Sequence, residues 1–103
     1  MADPMKIRAS FNGTVTEVKV LMSHPMETGL RKDAGGNVIP AHYISEVTAT
    51  SDGKTVLQCS FSQSVSQNPY LAFKFKGGAK GGKVQVHWVD NTGDQRSDEA
   101  TIS

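Results

Sequence analysis

The sequence predicts an all-β fold with a single domain over residues 1–103. Three observations predict it. Apolar residues alternate with a period of two, turn dipeptides separate the alternating segments, and no segment has the 3.6-residue spacing of an amphipathic helix. With 103 residues, of which 37% are hydrophobic, the chain is long enough for one small core and hardly for two.

Two hairpins are predicted in the first half of the chain. Alternation over residues 7–11 predicts the first strand, Asn12-Gly13 predicts a tight turn, and alternation over residues 18–22 predicts the second strand. A second hairpin is predicted from the stretch around residues 43–49, through the turn Asp52-Gly53, to residues 56–61.

A third hairpin is predicted from residues 71–76 and 84–88, which alternate on either side of a glycine-rich connection. A last strand follows the turn residues 90–94 and ends near Ile102. About seven short strands at this turn spacing predict an immunoglobulin-like, fibronectin-type antiparallel β-sandwich. It would lack a disulfide between its sheets, because Cys59 is the only cysteine.

Composition excludes several functional classes. A formal charge of +1 does not indicate a nucleic-acid partner, and no apolar run approaches the roughly 20 residues that span a bilayer. A single cysteine excludes a multi-thiolate zinc site, and the phase of Cys59 with Leu57 and Phe61 predicts a buried, inert thiol. The first ten residues, MADPMKIRAS, lack the apolar stretch of a secretory signal, so the sequence read alone predicts a cytoplasmic protein.

No motif indicates an enzyme or a cofactor. The segment KGGAKGGK over residues 76–83 lacks the G-x-x-x-x-G-K-[ST] pattern of a phosphate loop, and no predicted helix follows it. No nucleophile elbow is present. His42 and His87 have no second ligand at a motif spacing and are expected to be solvated or hydrogen-bonded.

The connection over residues 23–40 is too long for a hairpin loop and is the first candidate for function. Residues 62–69 instead read as a turn or sheet-crossing connector. Just before and within the long connection, Met22, His24 and Met26 form M-x-H-x-M, a donor set that suits Cu(I). Core packing is the competing interpretation, because Met22 continues the inward face of its strand, and we therefore expect no tightly bound metal.

The chain resembles the SoxZ family, the small subunits of the SoxYZ carrier complexes of bacterial thiosulfate oxidation. Several separate motifs carry this resemblance in the same order over nearly the whole chain. They are MKIRAS (5–10), SHPMETGLRKD (23–33), VIPAHYI (38–44), NPYLAFKFKGGAKG (68–81) and WVDNTGD (88–94).

The resemblance implies a non-catalytic sandwich without a cofactor, paired with SoxY and serving SoxAX, SoxB and SoxCD through the complex. SoxY-like chains carry sulfur intermediates on a cysteine in a mobile Gly-Gly-Cys-Gly-Gly tail. This chain ends in Ala100-Thr101-Ile102-Ser103, which matches the Z subunit. The family also implies a periplasmic location, reached by export with a signal-bearing SoxY, and this replaces the cytoplasmic expectation.

The partner-binding residues are expected in the long connection, in the segment after it, and in the lysine-rich segment. They are Met22, His24, Pro25, Met26, Glu27, Arg31, Ile39, Pro40, Tyr43, Ile44, Lys74, Lys76 and Lys80. Ile44 and Val89 are expected to point outward, opposite Tyr43 and Trp88, in an apolar patch that a permanent partner covers. Two alternatives stay open: a copper-handling periplasmic sandwich using Met22, His24 and Met26, and an adhesion-type or structural sandwich.

Overall fold

The computed structural model describes residues 4–62, 65 and 67–103 of the chain, and these residues form seven β-strands. The strands are β1 (Lys6–Phe11), β2 (Val15–Leu21), β3 (Ile44–Ser51), β4 (Lys54–Ser60), β5 (Tyr70–Lys76), β6 (Lys83–Asp90) and β7 (Gln95–Thr101). The prediction of an all-β fold is confirmed, and each predicted alternating segment overlaps one of these strands.

The strands form two antiparallel sheets, one of three strands in the order β1-β2-β5 and one of four strands in the order β4-β3-β6-β7. Alternation places every second residue of the central strands between the sheets. This confirms the predicted sandwich. The buried apolar residues are Met5, Ala9, Val18, Val20, Met22, Met26, Ile44, Val47, Ala49, Val84, Val86, Trp88 and Ile102.

The prediction of a third hairpin is wrong. β5 pairs with β2 and β6 pairs with β3, so the glycine-rich connection between them carries the chain from one sheet to the other. Alternation identifies a strand, but it does not say which strand becomes its neighbour. Residues 62–69 also cross between the sheets, as predicted, since they join β4 to β5; residues 63, 64 and 66 lie outside the described part.

The prediction that Ile44 points outward is also wrong, because Ile44 is fully buried. The register of β3 against β6 shifts between Ile44 and Glu46, so a bulge places Ser45 out of phase. Ile44 and Val47 are three positions apart in sequence, so strict alternation would place them on opposite faces. The bulge puts both on the inward face. Strict alternation counted back from Val47 therefore assigns the wrong face to Ile44.

The two long sides of the sandwich differ. On the side of β1 and β7 the C-terminal residues close the gap: Ser103 donates its N–H to the Ala9 carbonyl at 2.9 Å, and Phe11 donates its N–H to the Ser103 carbonyl at 3.0 Å. On the other side, β4 and β5 are the edge strands. The apolar residues there are only partly buried against the core; they are Val56, Leu57, Cys59, Phe61, Leu71, Phe73 and Phe75.

The described chain is elongated, with extents of 54 × 19 × 19 Å and a radius of gyration of 15.4 Å, against about 13 Å for a compact domain of about 100 residues. Strands of six to eight residues span only about 20–27 Å. Residues 31–38, all exposed, account for part of the remaining length. The described residues contain no helix with the length and hydrophobicity of a membrane span.

Candidate functional site

The long connection folds back on itself as a two-stranded ribbon with two isolated β-bridges, and we call it the arm (residues 27–42). At its base Glu27 and His42 exchange two main-chain hydrogen bonds, of 2.6 and 3.0 Å. Farther out, Ile39 donates its N–H to the Arg31 carbonyl at 2.8 Å. The arm therefore owes its shape to main-chain pairing, and its length is that of a small hairpin added to the sandwich.

Asp33 builds the tip of the arm. Its carboxylate Oδ1 accepts hydrogen bonds from the N–H groups of Gly35 at 2.9 Å and Asn37 at 3.0 Å, and its carbonyl accepts one from Gly36 at 3.1 Å. Gly36 has a φ of 82°, which favours glycine at this turn. The sequence Asp-Ala-Gly-Gly-Asn thus encodes a tight reversal of the chain.

The surface of the arm combines exposed apolar side chains with an ion pair. Leu30 is 86% exposed and Val38 is 55% exposed. Arg31 donates hydrogen bonds from two guanidinium nitrogens to both carboxylate oxygens of Glu27, and this pairing lowers the pKa of Glu27. The arm thus presents two large apolar side chains and a bidentate ion pair to solvent.

A cluster of two buried residues, His24 and Asp90, and the half-buried His42 holds the base of the arm to the sandwich, and we call it the clamp (His24, His42 and Asp90). His24 Nε2 lies 3.1 Å from Asp90 Oδ2, and His42 Nε2 lies 2.7 Å from the same oxygen. The two imidazole rings meet edge to face with centroids 4.6 Å apart. His24 lies just before the arm, His42 is its last residue, and Asp90 ends β6, so the clamp connects the arm to the four-stranded sheet.

The second oxygen of Asp90 organises the turn between β6 and β7. Oδ1 accepts hydrogen bonds from Thr92 N–H at 2.9 Å, Thr92 Oγ1 at 2.7 Å and Asp94 N–H at 2.9 Å. Burial by itself would raise the pKa of Asp90, but the hydrogen bonds from Thr92, His24 and His42 outweigh it and hold that pKa far below its ordinary value. Asp90 is therefore a buried, fully hydrogen-bonded carboxylate.

The surroundings of His24 select one neutral tautomer. Met26 donates its N–H to His24 Nδ1 at 3.1 Å, so Nδ1 carries a lone pair and Nε2 carries the proton that is donated to Asp90. Burial lowers the pKa of His24 by more than the hydrogen bond to Asp90 raises it. The ring also meets the indole of Trp88 edge to face, with centroids 5.1 Å apart. His24 is thus a neutral core residue that joins Asp90 to the start of the arm.

The clamp has the residue types of a metal site, since one donor atom from each of its three side chains lies within 4.8 Å of the others. Its hydrogen bonds oppose this function. A metal on His24 Nε2 would require the proton to move to Nδ1, where it would face the Met26 N–H instead of an acceptor. Met26 Sδ already accepts the Ile44 N–H at 3.2 Å. The geometry therefore disfavours both a metal at the clamp and the copper interpretation of Met22, His24 and Met26.

The predicted partner-binding residues separate into two groups. Met22, His24, Met26 and Ile44 are buried, with at most 5% of their surface exposed, and they support the arm from inside. Charged replacements at Ile44 or Met26, which the sequence would suggest for weakening a partner contact, would instead disrupt the core. The residues with accessible surface are Pro25, Glu27, Arg31, Ile39, Pro40 and Tyr43 around the arm, and Lys74, Lys76 and Lys80 at β5 and beyond.

Sequence reasoning missed Asp90 and the role of His42. The three members of the clamp are separated by 18 and 48 positions, and no motif spacing connects them. The turn sequence Asp90-Asn-Thr-Gly-Asp signals an aspartate that caps a turn, but only the fold brings both histidines to its Oδ2. His42 is hydrogen-bonded, as expected, although its partner could not be foreseen.

The glycine-rich connection has a structural role. Gly77 and Gly78 both have positive φ, and Thr16 donates its Oγ1–H to the Gly77 carbonyl at 2.7 Å. A Cβ added at Gly78 would lie 2.2 Å from Thr16 Oγ1. The glycines thus allow the chain to pass close to β2 as it leaves the three-stranded sheet.

Cys59 lies on β4 among the partly buried residues, in phase with Leu57 and Phe61 as predicted, although it is less buried than expected. Burial raises the pKa of its thiol. A raised pKa disfavours the thiolate and therefore nucleophilic or redox chemistry at this position.

Comparison with known proteins places the chain in a family. The model of the family described as sulphur oxidation protein SoxZ matches residues 5–101, nearly the whole chain. The chain belongs to the SoxZ family. The resemblance carried by the five motifs is thereby confirmed, and the protein is a SoxZ-type subunit of a Sox sulfur-oxidation system.

Among solved structures, the superoxide reductase (neelaredoxin) of Archaeoglobus fulgidus, in a reduced form, is similar to this SoxZ chain. The TM-score is 0.59 at 24% identity, and the match covers 97% of this chain and 86% of that chain. At this identity the similarity concerns the fold. No curated protein sequence matches the chain significantly.

Proposed function

We propose that this SoxZ chain is the non-catalytic subunit that pairs with SoxY, whose tail cysteine carries sulfur intermediates during thiosulfate oxidation. The observation that carries the proposal is the family match over residues 5–101, which leaves no second domain to supply a different activity within that range. A carrier whose tethered thiol visits several enzymes needs a stable body that leaves the tail free and presents docking surfaces.

The engagement of the polar groups supports a structural role. Asp90 and both histidines of the clamp are committed to hydrogen bonds within the chain, and the tautomer of His24 is fixed by the Met26 N–H. A general base needs a lone pair aimed at a substrate. His24 and Asp90 direct their groups at one another and at the neighbouring main chain, and His42 points Nε2 at the same carboxylate, which suits a cluster that holds the arm in place.

The arm is the proposed contact surface for Sox partners. Leu30 and Val38 expose apolar surface on a ribbon fixed at its base by the clamp and at its tip by Asp33. Pre-ordering of the ribbon lowers the conformational entropy lost when a partner binds. The proposal places the complex in the periplasm, reached by export with SoxY, as the family implies.

A genetic experiment tests this function. Deleting the gene in the native host should abolish thiosulfate-dependent oxygen uptake, and the wild-type gene should restore it. Tagged chain from the periplasmic fraction should retain a SoxY-like subunit with a Gly-Gly-Cys-Gly-Gly end. Unchanged oxygen uptake in the deletion strain would overturn the proposal.

Complementation with arm variants tests the contact surface. Leu30→Asp, at a side chain that is 86% exposed, should leave the fold intact and lower the restored rate. Ser97→Asp places the same carboxylate on an exposed position of β7 and serves as the control. Equal rates from both variants would remove the arm as a contact surface.

A further inference from the structure

The main-chain groups of β5 form a free, regular sheet edge. Met22 donates its N–H to the Pro69 carbonyl, and Gly77 donates its N–H to the Thr14 carbonyl, both at 2.9 Å. The register of β2 against β5 is unbroken between these bonds. Alternate residues of an antiparallel strand direct their N–H and C=O groups to opposite edges. Those directed away from β2 therefore belong to Tyr70, Ala72, Lys74 and Lys76.

The other three sheet edges are less available. The edge of β1 is covered by the C-terminal residues, since Ser103 bonds to both Ala9 and Phe11. β7 carries the ion pair of Arg96 with Asp98 at 2.9 Å and has no large apolar residue. The pairing of β3 with β4 contains a register shift. Bulges and charges of this kind are common protections of sheet edges. Among the described edge strands, β5 combines an unbroken register with apolar side chains that are only partly buried.

The inward side chains beside this edge are incompletely covered. Leu71, Phe73 and Phe75 face the core from β5. Leu57 of β4 and Phe61, just after β4, approach from the other sheet, yet all five are only partly buried. A strand added beside β5 would extend the inner face of the three-stranded sheet across this gap. Its inward side chains would then need to be apolar.

The outer face of β5 is positively charged. Glu17 on β2 lies 3.7 Å from Lys74 and 3.6 Å from Lys19, so one carboxylate serves two lysines. Within the described part of the chain, no ion pair is formed by Lys76 or Lys80. Carboxylates at the outward positions of an added strand would complement this charge.

We propose that the edge of β5 binds an extended segment of the partner chain as a fourth strand of the three-stranded sheet. The segment alternates apolar residues, which fill the gap toward β4, with acidic or polar residues, which meet the lysines. A second copy of β5 would instead add two more lysines to the same outer face, and like charges oppose that pairing. The inference rests on the proposed function, because the SoxY-like subunit supplies the segment.

Amide hydrogen exchange of the chain alone and in complex with the SoxY-like subunit tests the inference residue by residue. In the chain alone, the amides of Ala72 and Lys74, which point away from β2 at the sheet edge, should exchange quickly. The amides of Leu71 and Phe73, which are bonded to β2, should exchange slowly. In the complex, Ala72 and Lys74 should slow by about 100-fold or more, since strand addition gives them hydrogen bonds.

A matched pair of variants tests the same edge. Ala72→Pro removes one outward N–H, whereas Ala72→Thr keeps it and suits a strand. Because Ala72 makes no main-chain bond to β2, both variants should fold, which the exchange of the Phe73 amide verifies. Ala72→Pro should weaken the complex about tenfold relative to Ala72→Thr, as expected for loss of a main-chain hydrogen bond and its neighbour.

The outcomes separate the two proposals. If no complex with a SoxY-like subunit forms for the wild-type chain, the proposed function fails. If the complex forms but the amides of Ala72 and Lys74 stay fast and both variants bind equally, the β5 inference alone is overturned. Protection of these amides in the chain alone, increasing with its concentration, would identify a second copy as the occupant and would also overturn it.

Discussion

Asp90 shows how one buried side chain can organise two distant parts of the fold. Five hydrogen bonds converge on its carboxylate, two from the histidines of the clamp and three from the turn after β6. Asp90→Asn should lower the free energy of unfolding by about 3 kcal/mol, because its amide group would face the N–H donors of the clamp without an acceptor. Chemical denaturation measures the effect. Asp94→Asn, at an exposed neighbour, is the control and should cost far less.

The lowered pKa of His24 predicts a pH dependence of stability. The unfolded chain binds a proton near pH 6.5, while the folded chain resists it until a lower pH, so the free energy of unfolding should fall as the pH drops below about 6.5. Protonation would also remove the acceptor of the Met26 N–H. The lowered pKa of Asp90 makes the free energy of unfolding depend on pH only below the ordinary pKa of 3.8, outside this range.

Denaturation between pH 7.5 and 5 measures this dependence. His24→Gln should flatten it, while His87→Gln, at an imidazole that is hydrogen-bonded to the Gln95 side chain and lies outside the clamp, should retain it. His42, Asp90 and Asp94 share the surroundings of His24, so the comparison is made between variants at each pH. An equal slope in wild type and His24→Gln would contradict the assignment.

Cys59 is predicted to be structural. Cys59→Ala should lower the free energy of unfolding by about 1 kcal/mol, as for loss of a small buried group, and leave sulfur transfer intact. Since burial raises the pKa of the thiol, a bulky thiol reagent should label the folded chain much more slowly than the unfolded chain. Labelling at equal rates would contradict this role.

Among the elements, the connection between β5 and β6 carries the sharpest prediction. Gly77 and Gly78 both have positive φ, so alanine at either position should cost about 1 kcal/mol through the backbone. At Gly78 the new Cβ would also collide with Thr16 Oγ1, whereas at Gly77 nothing lies within 4 Å. Gly78→Ala should therefore lower the midpoint of thermal unfolding clearly more than Gly77→Ala. Equal midpoints would show that the Thr16 side chain moves away without loss of stability, which would contradict this prediction.

The strands themselves could be predicted from sequence, because period-two alternation and Asn-Gly or Asp-Gly turns are local signals. The pairing of the strands into sheets could not be predicted, since β5 alternates in the same way whether its neighbour is β2 or β6. The prediction of which face Ile44 occupies was wrong for a related reason: the bulge at Ser45 depends on the pairing of β3 with β6. The long connection was predicted as a candidate for function by its length, but its ribbon structure depends on main-chain pairing between distant residues, which length does not reveal.

At the scale of the whole molecule, the sandwich is closed on one side and open on the other, and an arm projects from it. The exposed large apolar residues among those described are Leu21, Leu30, Val38 and Tyr70. They replace the patch around Ile44 and Val89 as candidates for a covered surface. A permanent partner that covers the β5 edge and this surface should bury about 2,000 Å² or more in total.

A chain with these surfaces uncovered should behave differently from its complex. Expressed alone, it should bind apolar dyes or self-associate through surfaces other than the β5 edge, and addition of a SoxY-like subunit should suppress both. Titration with the dye, followed by fluorescence, checks this expectation. Lack of dye binding by a monodisperse lone chain would contradict a surface shaped for a permanent partner.

Native mass spectrometry of the chain co-expressed with the SoxY-like subunit of its host tests the central claim most directly. The chain contributes 11.1 kDa, and the proposed pairing predicts complexes that contain it and the SoxY-like subunit in equal numbers, stable through purification. The contradicting result is recovery of the 11.1 kDa chain without the SoxY-like subunit when both chains are expressed and soluble. That result would contradict the claim that this protein serves as the body of a sulfur carrier.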